Sequence, residues 1–85
     1  MKIKNLALIP LLALSLSCAR EFSILSTDVP QAVMTSFNNR YPGATDVEWE
    51  VEKEDGKLYF EAEFKINGRE MEAYFRPDGT FTKEE

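Results

Sequence analysis

Residues 45–82 read TDVEWEVEKEDGKLYFEAEFKINGREMEAYFRPDGTFT, and this stretch decides the fold. Its apolar residues recur with a period of two: Val47, Trp49 and Val51; then Leu58, Phe60, Ala62, Phe64 and Ile66; then Met71, Ala73 and Phe75; and finally Phe81 between Thr80 and Thr82. That alternation marks strands with one face in a core and the other in water. Two dipeptides, Asp55-Gly56 and Asn67-Gly68, divide the stretch. Both positions of the commonest two-residue hairpin loop need positive φ, which Asp-Gly and Asn-Gly supply. Pro77-Asp78-Gly79 provides a third turn, with Gly79 left-handed. These turns predict a register. Val51 faces Phe60, Trp49 faces Ala62 and Val47 faces Phe64; Phe64 faces Met71, Ala62 faces Ala73 and Phe60 faces Phe75; Phe75 lies against Phe81. Every apolar residue then falls on one face, and a slip of one residue at any turn would scatter them.

Upstream, residues 29–41 (VPQAVMTSFNNRY) read as one helix. Pro30 suits the first helical position, and Thr27 or Asp28 places a polar group near the positive end. Val29, Val33, Phe37 and Tyr41 are spaced by four and form one stripe. Arg40 stands in the last turn, and Pro42-Gly43 ends the helix. The expected architecture is α+β: one N-terminal helix packed on a four-stranded antiparallel meander. A single helix about 10 Å wide cannot shield a face about 14 Å across. Either the segment from Phe22 to Leu25 or a second copy of the chain is expected to cover the rest.

The front of the chain reads as an address. Residues 1–17 (MKIKNLALIPLLALSLS) open with Lys2 and Lys4, continue as an uncharged apolar run, and close with small Ser15 and Ser17. This is the pattern of a secretory signal peptide, and it is short for a membrane span. Cys18 follows directly. A Cys after a small residue at that point is similar to the lipobox of bacterial lipoproteins, in which the Cys carries the lipid. The alternative is cleavage at the Ser15-x-Ser17 pair, which leaves a free thiol. The expected division is 1–17 signal peptide, 18–28 lipidated Cys and tether, 29–85 folded domain. The expected location is the periplasm or the outer membrane as a lipoprotein, or the exterior if Cys18 is not lipidated. Loss of Lys2 and Lys4 leaves 8 cations against 15 anions. Such a domain is repelled by an anionic membrane and held there only by an acyl chain.

The composition excludes several classes. The chain has 85 residues, no His and one Cys, and a formal net charge of -5. It therefore lacks an imidazole triad, a His or Cys-cluster zinc site, and an internal disulfide. Its acidity argues against nucleic acid as partner. Cys18 has no partner base and is not a nucleophile.

The run from Val29 to about Lys83 resembles the PepSY-like, β-lactamase-inhibitor-like family common in exported proteins of gut Bacteroidetes. The resemblance rests on Val29-Pro30, Phe37, Tyr41-Pro42-Gly43-Ala44, Val47-x-Trp49, the aromatic-rich strand with Tyr59, Ala62 and Phe64, Asn67-Gly68, and Asp78-Gly79-Thr80. It implies a helix-plus-sheet unit with no catalytic residues and no cofactor. Members often carry two units in tandem; this chain has one, with no internal repeat.

Site candidates lie on the outer face of the predicted sheet, opposite the helix. Glu48, Glu50, Glu52, Glu61, Glu63, Glu70 and Glu72 all point there. The register sets Glu50 against Glu61, and Glu63 against both Glu48 and Glu72, although like charges directly opposite are destabilising. The face reads either as a solvated surface, relieved at its margins by Lys57, Lys65 and Arg76, or as a surface for a cationic partner. Calcium is disfavoured there, because carboxylates on a flat sheet lack a wrapped loop. No metal is expected. Glycosidase chemistry needs a cleft to raise one carboxyl, and so small a chain encloses little; no enzyme is expected. Tyr59 and Tyr74 are diagonal neighbours on the same face, with Arg76 beside them. They are either cross-strand packing or a protein-binding patch. The expected function is binding of a protein partner, with inhibition as the family resemblance suggests, through Tyr59, Tyr74, Arg76, Glu48, Glu50, Glu61 and Glu63. The alternative is a structural module in which two chains pair to mimic the tandem form.

Overall fold

The computed structural model describes residues 19–85; the predicted signal peptide and the lipidation position Cys18 lie outside the described residues. The chain forms β1 (Ala19–Ile24), a 3-10 turn (Ser26–Asp28), α1 (Gln31–Arg40), β2 (Thr45–Glu54), β3 (Lys57–Ile66), β4 (Arg69–Phe75) and β5 (Phe81–Glu84). The five strands make one sheet in the order β1-β2-β3-β4-β5, with every neighbouring pair antiparallel. The expected four-stranded meander is therefore corrected to five strands. The residues read as a tether supply the extra one: Ala19–Ile24 pairs with β2, from Ala19 opposite Glu54 to Ile24 opposite Trp49. The physical reason is the open edge of β2, whose unpaired N–H and C=O groups a nearby extended segment can satisfy.

This strand widens the sheet and does not cap it. Ile24 packs against the core, but Phe22 is 62 % exposed and Leu25 70 % exposed. The open part of the inner face is thus not sealed by the Phe22–Leu25 segment.

The hairpins follow their turn residues. Asp55 and Gly56, and Asn67 and Gly68, all have positive φ. Val51 pairs with Phe60 and Trp49 with Ala62, then Phe64 with Met71, Ala62 with Ala73, Phe60 with Phe75, and Phe75 with Phe81. One expected pair fails. The ladder shifts between Thr45 and Glu48, where Asp46 takes φ 54°, so Val47 does not face Phe64 and is exposed. A bulge spends one residue of β2 and re-aims its neighbour.

Helix α1 begins later than the spacing suggested. Pro30 is the N-cap with no side-chain cap, and its carbonyl accepts from Val33 and Met34 N–H. The whole stripe Val29, Val33, Phe37 and Tyr41 is nonetheless buried against Trp49, Phe60, Ala62, Phe64, Ala73 and Phe75. At its C-terminus Arg40 lies over the Phe81 ring at 3.5 Å, and Tyr41 Oη donates to Glu84 Oε1 at 2.6 Å. Burial, with help from Glu84, pushes the Tyr41 phenol up to about 12.

Helix and last turn meet at Gly79, which has φ +94°. A Cβ there would sit 2.7 Å from the backbone oxygen of Ala32. Gly79→Ala is expected to cost about 2 kcal/mol, from positive φ and the clash together, and to appear as a lower urea midpoint at unchanged slope. A midpoint equal to wild type would mean that the turn stands off from the helix.

Candidate functional site

Strand alternation sends one set of side chains away from α1, and the glutamates and tyrosines expected on the outer face are found there by register; Arg76, just past β4, is placed there by its contact with Tyr59. Glu50 lies opposite Glu61, Glu48 opposite Glu63, Glu63 opposite Glu72, and Glu61 opposite Tyr74. Strand β1 adds two residues that no local pattern had placed there: Glu21 opposite Glu52 and Ser23 opposite Glu50.

The face is not uniformly solvated. Glu48 and Glu70 are exposed, Glu50, Glu63, Glu72, Tyr59 and Arg76 are half-buried, and Glu52, Glu61 and Tyr74 are buried. Glu61 is only 2 % exposed and Tyr74 8 %. No helix of the described residues covers this side, so the cover is one layer of long side chains. β3 is the central strand of five, and Glu61 stands at its middle with neighbours on both flanks.

Two phenols organise the margin toward β5. Arg76 lies over the Tyr59 ring at 5.2 Å, and Lys83 over the Tyr74 ring at 4.6 Å. Tyr74 Oη also contacts Glu72 Oε1 at 3.3 Å. Glu52, Tyr59, Tyr74, Thr82 and Lys83 border a hollow of about 180 Å³. At the far end of the face, Asp46, Glu48, Glu63, Lys65, Glu70 and Glu72 line a larger open trough of about 700 Å³. Lys83 is not predictable by alternation, which would put it on the inner face with Phe81; a register shift between Tyr74 and Phe75 sets it opposite Tyr74 instead.

Carboxyl groups crowd at the centre, and burial there disfavours their charge. Desolvation raises Glu61 to about 8, with Glu72, Glu21, Glu50 and Glu63 adding repulsion. Desolvation raises Glu50 to about 7, with Glu63 and Glu21 adding to it. Glu52 and Glu63 are raised as well, first by burial and then by neighbouring carboxylates. The ion pairs among the described residues, Lys65–Asp46 at 3.8 Å and Lys83–Glu85 at 2.9 Å, both lie off this centre.

No family model matches the chain, and no curated protein or solved structure matches it.

Proposed function

We propose that the chain is an exported, non-catalytic domain of the PepSY-like type, tethered through a lipid on Cys18, that binds a protein through the outer face of its sheet. One observation carries the reading. That face has no helix over it among the described residues, and it presents half-buried Tyr59 stacked with Arg76 beside a band of carboxylates. Tyr and Arg are the side chains that anchor protein interfaces, and a strongly acidic rim selects a basic partner and speeds its approach. The resemblance adds inhibition of that partner as the expected consequence. Tyr74, Glu61 and Glu50 support the patch from beneath; Tyr59, Arg76, Glu48 and Glu63 are the groups a partner touches first.

The test is affinity capture from an envelope extract with wild type, Tyr59→Ala and Glu48→Lys. Both substitutions lie outside the core, so the fold is expected to persist. A partner held by wild type should bind at least about tenfold more weakly to each variant, the loss typical of one anchoring residue. Equal capture by all three proteins counts against this face.

A second reading has its own observation. Phe22 and Leu25 stay exposed at the β1 margin, and among the described residues no strand lies beside the outer edge of β1. A second copy seated there would cover the apolar margin and provide the paired form. Sedimentation at micromolar concentration separates the two readings: a dimer supports this one and a strict monomer removes it.

A further inference from the structure

Glu50, Glu61 and Glu63 each bring one carboxylate oxygen within 4.8 Å of the other two. Strand spacing forces part of this closeness, since paired strands lie about 4.8 Å apart. Spacing alone does not account for burial. Glu61 is 2 % exposed, and its Oε1 has no hydrogen-bond partner; the buried Oε1 of Glu50 has none either. An orphaned buried carboxylate oxygen is costly, and folded proteins resolve such a group with a proton, a donor or a cation. The cations of the ion pairs lie elsewhere.

We propose that Glu50, Glu61 and Glu63 bind one hard divalent cation of the calcium class, with Glu61 as the buried ligand and Glu50 and Glu63 as the half-buried pair that closes over it. Calcium takes oxygen ligands at about 2.3–2.6 Å, so ligand oxygens across the ion stand up to about 5 Å apart, which matches the triad. The donors are all carboxylate, with no imidazole or thiolate, and this favours calcium, magnesium or manganese over zinc or copper. Calcium fits best because magnesium demands a near-ideal octahedron at a shorter distance. A second triad, Glu21, Glu52 and Glu61, shares Glu61. Its Glu21 is exposed and only its Glu61 offers an unpartnered oxygen, so the ion is assigned to the first triad. A flat, wetted face of carboxylates disfavours calcium; here Glu61 is buried, and long side chains on both flanks of β3 replace the wrapped loop. The site is independent of any protein partner, and its readouts need none.

The experiment titrates the full chain with calcium, magnesium and manganese, following thermal stability at mildly alkaline pH, and with terbium, exciting tyrosine. Tyr74 lies opposite Glu61, so bound terbium should emit, and calcium should displace it. Three carboxylates without a loop place the expected dissociation constant at about 0.1–1 mM, the range of extracellular calcium modules. Affinity should rise with pH and binding should release protons. Glu61→Gln and Glu50→Gln should each weaken calcium at least about tenfold, while Glu70→Gln, exposed and outside the triad, should not. Two results would overturn the proposal. One is no calcium-dependent stabilisation and no displaceable emission up to about 10 mM, above the weakest such sites. The other is binding that survives intact in both Glu50→Gln and Glu61→Gln, which would place the ion elsewhere on the face.

Discussion

Phe37→Ala should leave the domain only marginally stable at physiological temperature. Phe37 is 3 % exposed and touches four other rings: Phe64 at 5.1 Å between centroids, Trp49 at 5.2 Å, Tyr41 at 5.5 Å and Phe75 at 6.3 Å. Its ring partners lie on β2, β3 and β4 together. Deleting a buried Phe costs about 4 kcal/mol, through lost transfer energy and through the cavity. Val33 and Tyr41 hold the helix on either side of Phe37, so the neighbouring rings cannot close the gap without moving it. A domain this small begins near the low end of the ordinary stability range, about 5 kcal/mol. At roughly 4–8 °C per kcal/mol the melting temperature should fall by about 20 °C. Trp49 is the single Trp and is buried, so its emission gives the readout: blue-shifted in wild type and red-shifted in the variant. Phe37→Leu keeps most of the volume and should cost less than about 2 kcal/mol. A melting temperature within a few degrees of wild type for Phe37→Ala would show that the helix is not held by this ring.

The second large effect is on pH dependence, measured with a chelator present. Glu50 and Glu61 hold their protons to about 7 and about 8 in the folded state, against an unfolded value of 4.5. Between those limits the native state binds more protons than the unfolded chain, so stability falls as pH rises. The contribution is complete below about pH 4.5 and is lost through about pH 7–8. After burial, repulsion from Glu72 on β4, Glu21 on β1, Glu50 on β2 and Glu63 on β3 sharpens this at Glu61, while Glu52 on β2 and the Tyr74 phenol on β4 also face it. Repulsion also falls on Tyr74, whose phenol is raised by burial and then by Glu61. The loss from mildly acidic to mildly alkaline pH is on the order of 3 kcal/mol, reduced from the full shift because the site lies one side chain below water. Glu61→Gln removes the charge without removing volume. It should leave stability at acidic pH nearly unchanged and flatten the curve, so that the variant melts at least about 8 °C above wild type at alkaline pH. A wild-type curve that is level or rises between pH 5 and 8 would show that these carboxylates ionise freely in the folded protein.

How far the site was legible follows from the same residues. The facing of Glu50 with Glu61 and of Glu63 with Glu72 follows from Asp55-Gly56 and Asn67-Gly68, because a two-residue turn sets its register locally. The depth of Glu61 does not follow from any local signal. Alternation assigns a residue to a face, and on an antiparallel sheet the face away from the helix reads as wet. Burial there depends on which strands lie to each side and on how long their side chains are. The cation–π contacts of Arg76 and Lys83 depend likewise on rotamers that no spacing specifies.

Local chemistry by itself determined the helix stripe, the three turns, the register through the centre of the sheet and the division into an apolar and an acidic face. These are set by residues within a few positions of one another, where dihedral preference and periodicity act directly. Tertiary structure alone decided that 19–24 is a strand, since its partner lies across the whole helix and an edge strand asks little of its own side chains. That addition makes β3 the middle of five strands and brings Glu21 of β1 close to Glu61, which is buried with an unpaired oxygen.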